Sequence, residues 1–393
     1  MRPFEYDKLT KLMRQAGMDL LVASSQANVG YIADLTWYLS ITPTYLSEDG
    51  ETYYASFVGL LPDAPNAAFF VGFSNESMYV EWKDPWIRDR RYAGASFHVE
   101  GGGRNVGGLT NPAEALVEAI KARGVDKGCI GIEWQQMRLG TYEKLKALLP
   151  QASFVDCDSI LWELRMVKCA EEIARMRVAA TGSSQAADTA YRCLEEGMTE
   201  LEWERIVVRD LHEAGLRHEY TEMAFGPKGA HLVDPTDNRL EQGHIVRLDI
   251  GGSYQGYQSD LSRSFAFGKV NDDVRRAHAA ILRMNKELRK AVRPGVRCSD
   301  LYRMCMRMFE EESYAPLTRQ AGHSLGRTVH EPPFLVENND RPLEPGMVIN
   351  VEPTMRIQGV GSVNIEDTLV VHEGEPECLT NLPRDLGHYW SAP

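Results

Sequence analysis

Two aspartates stand where a strand-forming chain would ordinarily place apolar or β-branched residues. The stretches are Val246-Arg247-Leu248-Asp249-Ile250-Gly251-Gly252 and Gly256-Tyr257-Gln258-Ser259-Asp260. Aspartate is depleted in strand interiors, so each position needs a reason to carry one. A hairpin turning about Tyr254 and Gln255 sets positions 249 and 260 directly opposite each other on one face. Like charges so placed repel, and the arrangement calls for a cation or a shared proton. Two solvated aspartates at a strand edge are the alternative.

Residues further along favour the cation. Gly322-His323-Ser324-Leu325-Gly326 sets a histidine between glycines, Asn350-Val351-Glu352-Pro353 ends an apolar strand with a glutamate, and Asn364-Ile365-Glu366-Asp367-Thr368 puts another inside a strand pattern. Four carboxylates carry −4 and two divalent ions carry +4, the balance that a buried acidic cluster requires. Oxygen-rich ligation with a single histidine suits Mn²⁺, Fe²⁺ or Co²⁺, and Zn²⁺ is compatible.

The surrounding chain divides in two. Up to about residue 155, helix and strand patterns alternate as in an α/β layer, with strands expected at 19–23, 67–71 and 129–133. Long helical patterns follow from Ala170 and from Thr199, then strand pairs 243–252 with 256–267 and 347–351 with 362–372, with helices near 273–292 and 299–314 between them. An α/β domain over 1–158 and an α+β domain over 159–393 are expected. The glycine run at 101–103 lacks the lysine and spacing of a phosphate loop and reads as a surface loop. Cys298 and Cys305, seven apart, read as neighbours on one helix face.

Composition narrows the function. A net charge of −13 over 393 residues argues against nucleic acid and anionic membranes as partners, since both select basic surfaces. No apolar run approaches the ~20 residues needed to span a bilayer, and the first residues read as an amphipathic helix and a strand, not a signal peptide. Seven scattered cysteines, none in a CxxC pair, suit reduced thiols in the cytoplasm.

The motifs Asp-x10-Asp, Gly-His, Val-Glu-Pro and Ile-Glu-Asp-Thr, in that order, resemble those of the pita-bread metallopeptidases, which include Xaa-Pro aminopeptidase, prolidase, methionine aminopeptidase and creatinase. The resemblance spans roughly residues 160–375, and the preceding α/β domain is similar to that of the prolidase and creatinase branch. It implies an α+β fold with a curved antiparallel sheet covered by helices, and hydrolysis of a C–N bond, commonly the one before proline. By resemblance, Asp249 chelates one metal, Asp260 and Glu366 bridge two, and His323 and Glu352 complete the other site. Glu352 would take a proton from the attacking water, and His231 and His330 would face the substrate. A homodimer is implied, with the aromatic segment at 31–45 (Trp37, Tyr38, Tyr45) as a candidate wall for the partner's site.

Three residues depart from the family pattern. Asn364 stands where arginine is usual, Thr354 where glycine is usual, and Arg327 where an apolar residue is common. Arg327 is therefore a candidate to receive a substrate carboxylate; an ion pair with Glu331 is the alternative. The departures keep open a small non-peptide amide, amidine or lyase substrate, and an inactive binding module is a third reading.

Overall fold

The computed structural model describes residues 2–36, 55–93, 111–227 and 234–390. These form two compact units, Met1–Arg165 and Met166–Pro393. Trp37, Tyr38, Tyr45, the glycine run and His231 lie outside the described residues.

The first unit is an α/β layer. Its strands are β1 (Leu20–Ala23), β2 (Phe57–Leu60), β3 (Phe69–Phe73), β4 (Asp89–Ala93), β5 (Cys129–Ile132) and β6 (Ser153–Asp156). They pair in the order β4-β3-β2-β1-β5-β6, with antiparallel pairing only where β2 meets its two neighbours. Helix α1 (Tyr6–Gln15) buries Tyr6, Leu9 and Met13 against one side of the sheet. The helices α2 (Gln26–Ala33) and α3 (Ser77–Lys83) follow, then α4 (Pro112–Lys121), which starts on an Asn111 cap with proline at its first turn, and α5 (Leu139–Leu148). Helix α6 (Asp158–Met166) adds Ile160, Leu161 and Leu164 to this unit's core, so residues 159–165 group with the first unit.

The second unit is antiparallel sheet covered by helices. Helices α7 (Ala170–Arg192) and α8 (Glu200–Glu213), the latter started by a reciprocal Thr199–Glu202 capping box, precede the strands β7 (Arg217–Phe225), β8 (Ile245–Tyr254), β9 (Tyr257–Gln258) and β10 (Leu261–Ala266). Helices α9 (Asp272–Ala291) and α10 (Cys298–Glu311) come next; Cys298 and Cys305 are both buried on α10. The remaining strands are β11 (His323–Ser324), β12 (Glu331–Phe334), β13 (Val348–Val351), β14 (Thr354–Ile357), β15 (Gly361–Asn364), β16 (Asp367–Val370) and β17 (Glu377–Cys378). They pair as β10-β8-β7, β12-β11-β13-β16-β17 and β14-β15, and an Arg263–Ile365 bridge joins the first group to the rest.

Two strand expectations need correction. The β8–β9 turn is Gln255-Gly256, not Tyr254-Gln255: Tyr254 pairs with Tyr257, and both turn residues have positive φ, 49° and 77°. A two-residue turn of that kind favours glycine second, because both central residues must adopt left-handed conformations. The register therefore slides by two, and Asp249 pairs with Ser262 instead of Asp260. The second expected pair is also more divided. Strand β13 pairs with β16, and a nested hairpin, β14–β15, lies between them in sequence.

Candidate functional site

The two-residue slide keeps Asp260 on the same face as Asp249, because side chains alternate with period two. Asp260 now stands across from Gly251, where the missing side chain leaves room for the Tyr220 ring; a Cβ at 251 would overlap it. Tyr220 pairs with Gly251 from β7, and its hydroxyl donates to Asp260 Oδ1 and lies 3.4 Å from Asp249 Oδ1.

Registry orders the rest of the face. Glu222 pairs with Asp249, Asp249 with Ser262, and the Glu366 amide donates to the Ser262 carbonyl at 3.0 Å. Asp260 and Glu366 sit at breaks between strands, not inside them, and Glu352 follows the last residue of β13. His323 opens β11; its Nε2 is 3.4 Å from Asp260 Oδ2 and 3.8 Å from both Glu352 Oε1 and Glu366 Oε1. The ring's other nitrogen, Nδ1, lies 3.0 Å from the Ser324 carbonyl. A neutral imidazole donating there aims the Nε2 lone pair at the carboxylates. Glu366 accepts from Asn350 Nδ2 at 2.9 Å and Glu352 from Gln320 Nε2 at 3.0 Å.

The electrostatics call for a cation. Burial pushes Asp249, Asp260 and Glu366 up from ordinary carboxylate values, and each also feels its acidic neighbours in the case of Asp260 and Glu366. Glu352 rises to about 7, by burial and then by Asp249. Glu222 also rises to about 7 for the same two reasons. Burial, then the neighbouring His330, lowers His323 to about 3, so it is a neutral donor atom. Three buried acids, the partly exposed Glu352 and one neutral imidazole lie together without enough protein counter-charge, as a divalent-ion site does before loading. One oxygen or nitrogen each from Asp260, His323 and Glu366 lies within 4.8 Å of the others, close enough for one ion. These residues fit divalent metal.

His330 joins the site: its ring centroid is 4.2 Å from that of His323, and it is exposed on the open side. Burial lowers its pKa while Asp249 raises it. Its loop is tied at both ends to Lys168, whose Nζ donates to Ser324 Oγ at 2.9 Å and lies 3.6 Å from Glu331 Oε2. Arg327 sits at the hairpin tip: its guanidinium lies 5.2 Å over the Tyr257 ring, and Nη1 donates to the Gln255 carbonyl at 3.4 Å. Asn364 Nδ2 donates to Thr354 Oγ1 at 2.6 Å, so two of the departing residues are bonded to each other.

Tyr220 and Arg247 are part of the site and escaped the motif reading. Arg247 is buried, and its Nη2 donates to Asp249 Oδ2 at 2.8 Å. The available signal was strand alternation, which puts Arg247 on the face of Asp249 and Tyr220 on that of Glu222.

The sequence of residues 174–373 matches metallopeptidase family M24, and residues 6–167 match the creatinase/prolidase N-terminal domain. A putative dipeptidase, YkvY, of Bacillus subtilis (strain 168) is 30% identical over 280 residues, which are 70% of this chain and 77% of that protein. The Xaa-Pro dipeptidase of Lactobacillus helveticus is 29% identical over 282 residues, again 70% and 77% of the two chains. Among solved structures, a dipeptidase from Pyrococcus horikoshii OT3 superposes with a TM-score of 0.80 at 25% identity, covering 97% of this chain and 99% of that one. An Xaa-Pro dipeptidase from Bacillus anthracis gives 0.81 at 22% identity, covering 97% and 98%.

Proposed function

We propose, from the premise that the chain belongs to metallopeptidase family M24, that it is a metal-dependent hydrolase cleaving the peptide bond before proline in short peptides. The observation that carries this reading is the buried group Asp260, His323 and Glu366, whose ligand atoms lie within 4.8 Å of one another, with Glu352 Oε1 3.8 Å from His323 Nε2 and Asp249 on the sheet face of Asp260. In our assignment the second unit, Met166–Pro393, would hold two ions, with Mn²⁺ the preferred metal and Fe²⁺, Co²⁺ or Zn²⁺ as substitutes. Asp249 would help to hold one ion, His323 and Glu352 the other, and Asp260 and Glu366 would serve both. Bound ions would supply Lewis-acid polarisation of the scissile carbonyl and a water made acidic enough to react near neutral pH.

The chain's own groups do the remainder. Glu352 is the most open of the proposed ligand carboxylates, its side chain 19% exposed against 11% for Asp249, 5% for Asp260 and 2% for Glu366, so it is placed to accept the proton of an incoming water. His330, beside His323 on the open side, is assigned to donate to the substrate carbonyl or leaving group, together with His231. Arg327, whose guanidinium lies over Tyr257 at the hairpin tip, is assigned to receive a substrate carboxylate.

The protein is taken to act in the cytoplasm, in keeping with its seven unpaired cysteines. No helix among the described residues is long and apolar enough to cross a membrane. It is also taken to act as a homodimer, and sedimentation as a monomer at micromolar concentration would contradict that. The bonded pair Asn364–Thr354 favours a second reading, in which the substrate is a small non-peptide amide or amidine.

A panel of Xaa-Pro dipeptides and tripeptides, proline-free controls and small N-acyl amines, offered to Mn²⁺-loaded protein, separates the two. Xaa-Pro turnover abolished by chelator and restored by Mn²⁺ is the expected result. Turnover of amides alone would transfer the assignment to the second reading.

A further inference from the structure

A row of side chains beside the carboxylates carries one guanidinium. Arg247 pairs with Ser264 on β10, Ser264 Oγ accepts from the Asn364 amide at 3.0 Å, and Asn364 pairs with Thr354. Directly opposed residues share a face, so Arg247, Ser264, Asn364 and Thr354 form the row next to Asp249, Ser262, Glu366 and Glu352. Arg247 precedes Asp249 by two residues, and Asn364 precedes Glu366 by two. The two positions are equivalent, one on each strand that delivers a carboxylate, and about two strand spacings, roughly 10 Å, apart. The arginine that the resemblance places at 364 is missing there, and an arginine is present at 247.

The environments of the two side chains agree with an exchange. The Arg247 side chain is 5% exposed and bonded to Asp249 Oδ2, and its Nε is buried without a hydrogen-bond partner. Asn364 is buried too, its Oδ1 without a partner and its amide spent on Thr354. Ser264 lies between them and is neutral. Within this face Arg247 is thus the guanidinium in hydrogen-bonding contact with a proposed ligand, and Asn364 cannot supply one.

We propose that Arg247 is the positioning residue of Asp249, performing from β8 the duty of a guanidinium at position 364. The proposal rests on Asp249 being a metal ligand. A carboxylate turns about its Cβ–Cγ bond unless both oxygens are engaged. Arg247 holds Oδ2 from one side while the Tyr220 hydroxyl approaches Oδ1 from the other, so the plane of the carboxylate is set before an ion arrives. The same contact places one positive charge at the end of the row where Glu222 adds an acid outside the ligand set.

The test moves the charge back. Arg247→Met, Asn364→Arg and the double exchange are compared with wild type as metal-free and Co²⁺-loaded proteins. Visible absorption of the bound Co²⁺, metal content, kcat, KM and the melting temperature of the metal-free form are read. Arg247→Met is expected to alter the Co²⁺ spectrum and lower kcat by on the order of 10- to 100-fold, with KM nearly unchanged. Arg247→Lys, which keeps the charge and one donor, should fall between. The double exchange should recover the spectrum and most of kcat. An Arg247→Met protein with wild-type spectrum and kcat overturns the proposal. So does a double exchange that melts and loads normally yet stays as impaired as Arg247→Met. Wild type that takes up no Co²⁺ removes the metal reading instead; the metal-free melts, lower in Arg247→Met and restored by the exchange, then still decide whether position 364 can replace Arg247.

Discussion

Asp260→Asn should lower Xaa-Pro turnover by about 10³-fold or more, equivalent to at least ~4 kcal/mol of transition-state stabilisation. Metal content under saturating Mn²⁺ should fall from about two ions per chain to below one. Asp260 is 3% exposed, 3.4 Å from His323 Nε2, and grouped with Glu366 closely enough to share an ion. A carboxylate assigned to both ions affects both when it is lost. Asparagine preserves volume and can still accept from Tyr220, so the change isolates the charge. Stability should move the other way in the metal-free protein. The folded pKa of Asp260 lies well above its usual value, because of burial and then Asp249. A raised carboxylate pKa gives stability that is complete below the unfolded value and lost as pH rises. At neutral pH the ion-free carboxylate is therefore a cost, and the asparagine variant should melt higher without metal and lower with it. Elemental analysis, turnover and paired melts check this. Full metal content with half the wild-type rate would sink it.

Arg263→Met should cost about 3–5 kcal/mol, the range for breaking a buried charge pair from one side. For a unit of this size that is a fall of roughly 10–15 °C in Tm. Arg263 is fully buried on the sheet face opposite the carboxylates. Its Nε donates to the Pro383 carbonyl at 3.1 Å, Nη1 to the Ser262 carbonyl at 2.8 Å and to that of Glu366, and Nη2 to Asp367 Oδ1 at 2.7 Å and the Leu382 carbonyl at 3.2 Å. Methionine fills much of the space and satisfies none of these acceptors. Asp367 keeps Arg384, at 2.7 and 2.8 Å, so the unit should still fold. Burial alone would raise Asp367, but Arg263, Arg384 and Arg289 hold it well below the carboxylate range. Because Arg263 grips the Glu366 carbonyl, metal content should fall along with Tm. Scanning calorimetry and metal analysis measure both, and a loss of less than about 3 °C would contradict the role given to this side chain.

The candidate residues and their order were legible because a carboxylate or histidine inside an apolar strand pattern is locally anomalous. The helices of the second unit were legible from periodicity, and the structure adds their caps at Thr199 and Asn271. Register was not. The misplaced turn at Tyr254-Gln255 came from counting back from the aspartates, although Gly256 marked the correct one. A slide of two preserves the face, so the grouping of Asp249 with Asp260 survived while their direct pairing did not. The β14–β15 hairpin was hidden by Pro353, which reads as the end of a strand, although Gly359, with φ of 75°, marks its turn. Tyr220 and Arg247 were missed for a different reason. Their importance depends on which strand lies alongside, and that neighbour is remote in sequence. Arg327 was singled out by its loop between two candidate histidines, and its Nη1 donates to the Gln255 carbonyl at the hairpin tip.

The proposed ligands are distributed across residues 249–366 and arrive in order as the chain is made. The β8–β10 hairpin emerges first with Asp249 and Asp260 on one face, and after Ala266 a further 57 residues must be made before His323 joins it. Arg247, within the hairpin, is then the counter-ion already at hand. Only when Glu366 has emerged and its amide has reached Ser262 is the acidic row complete. Metal capture by these ligands would consequently be a late event in the life of the nascent chain, one that reports closure of the unit around its last strands.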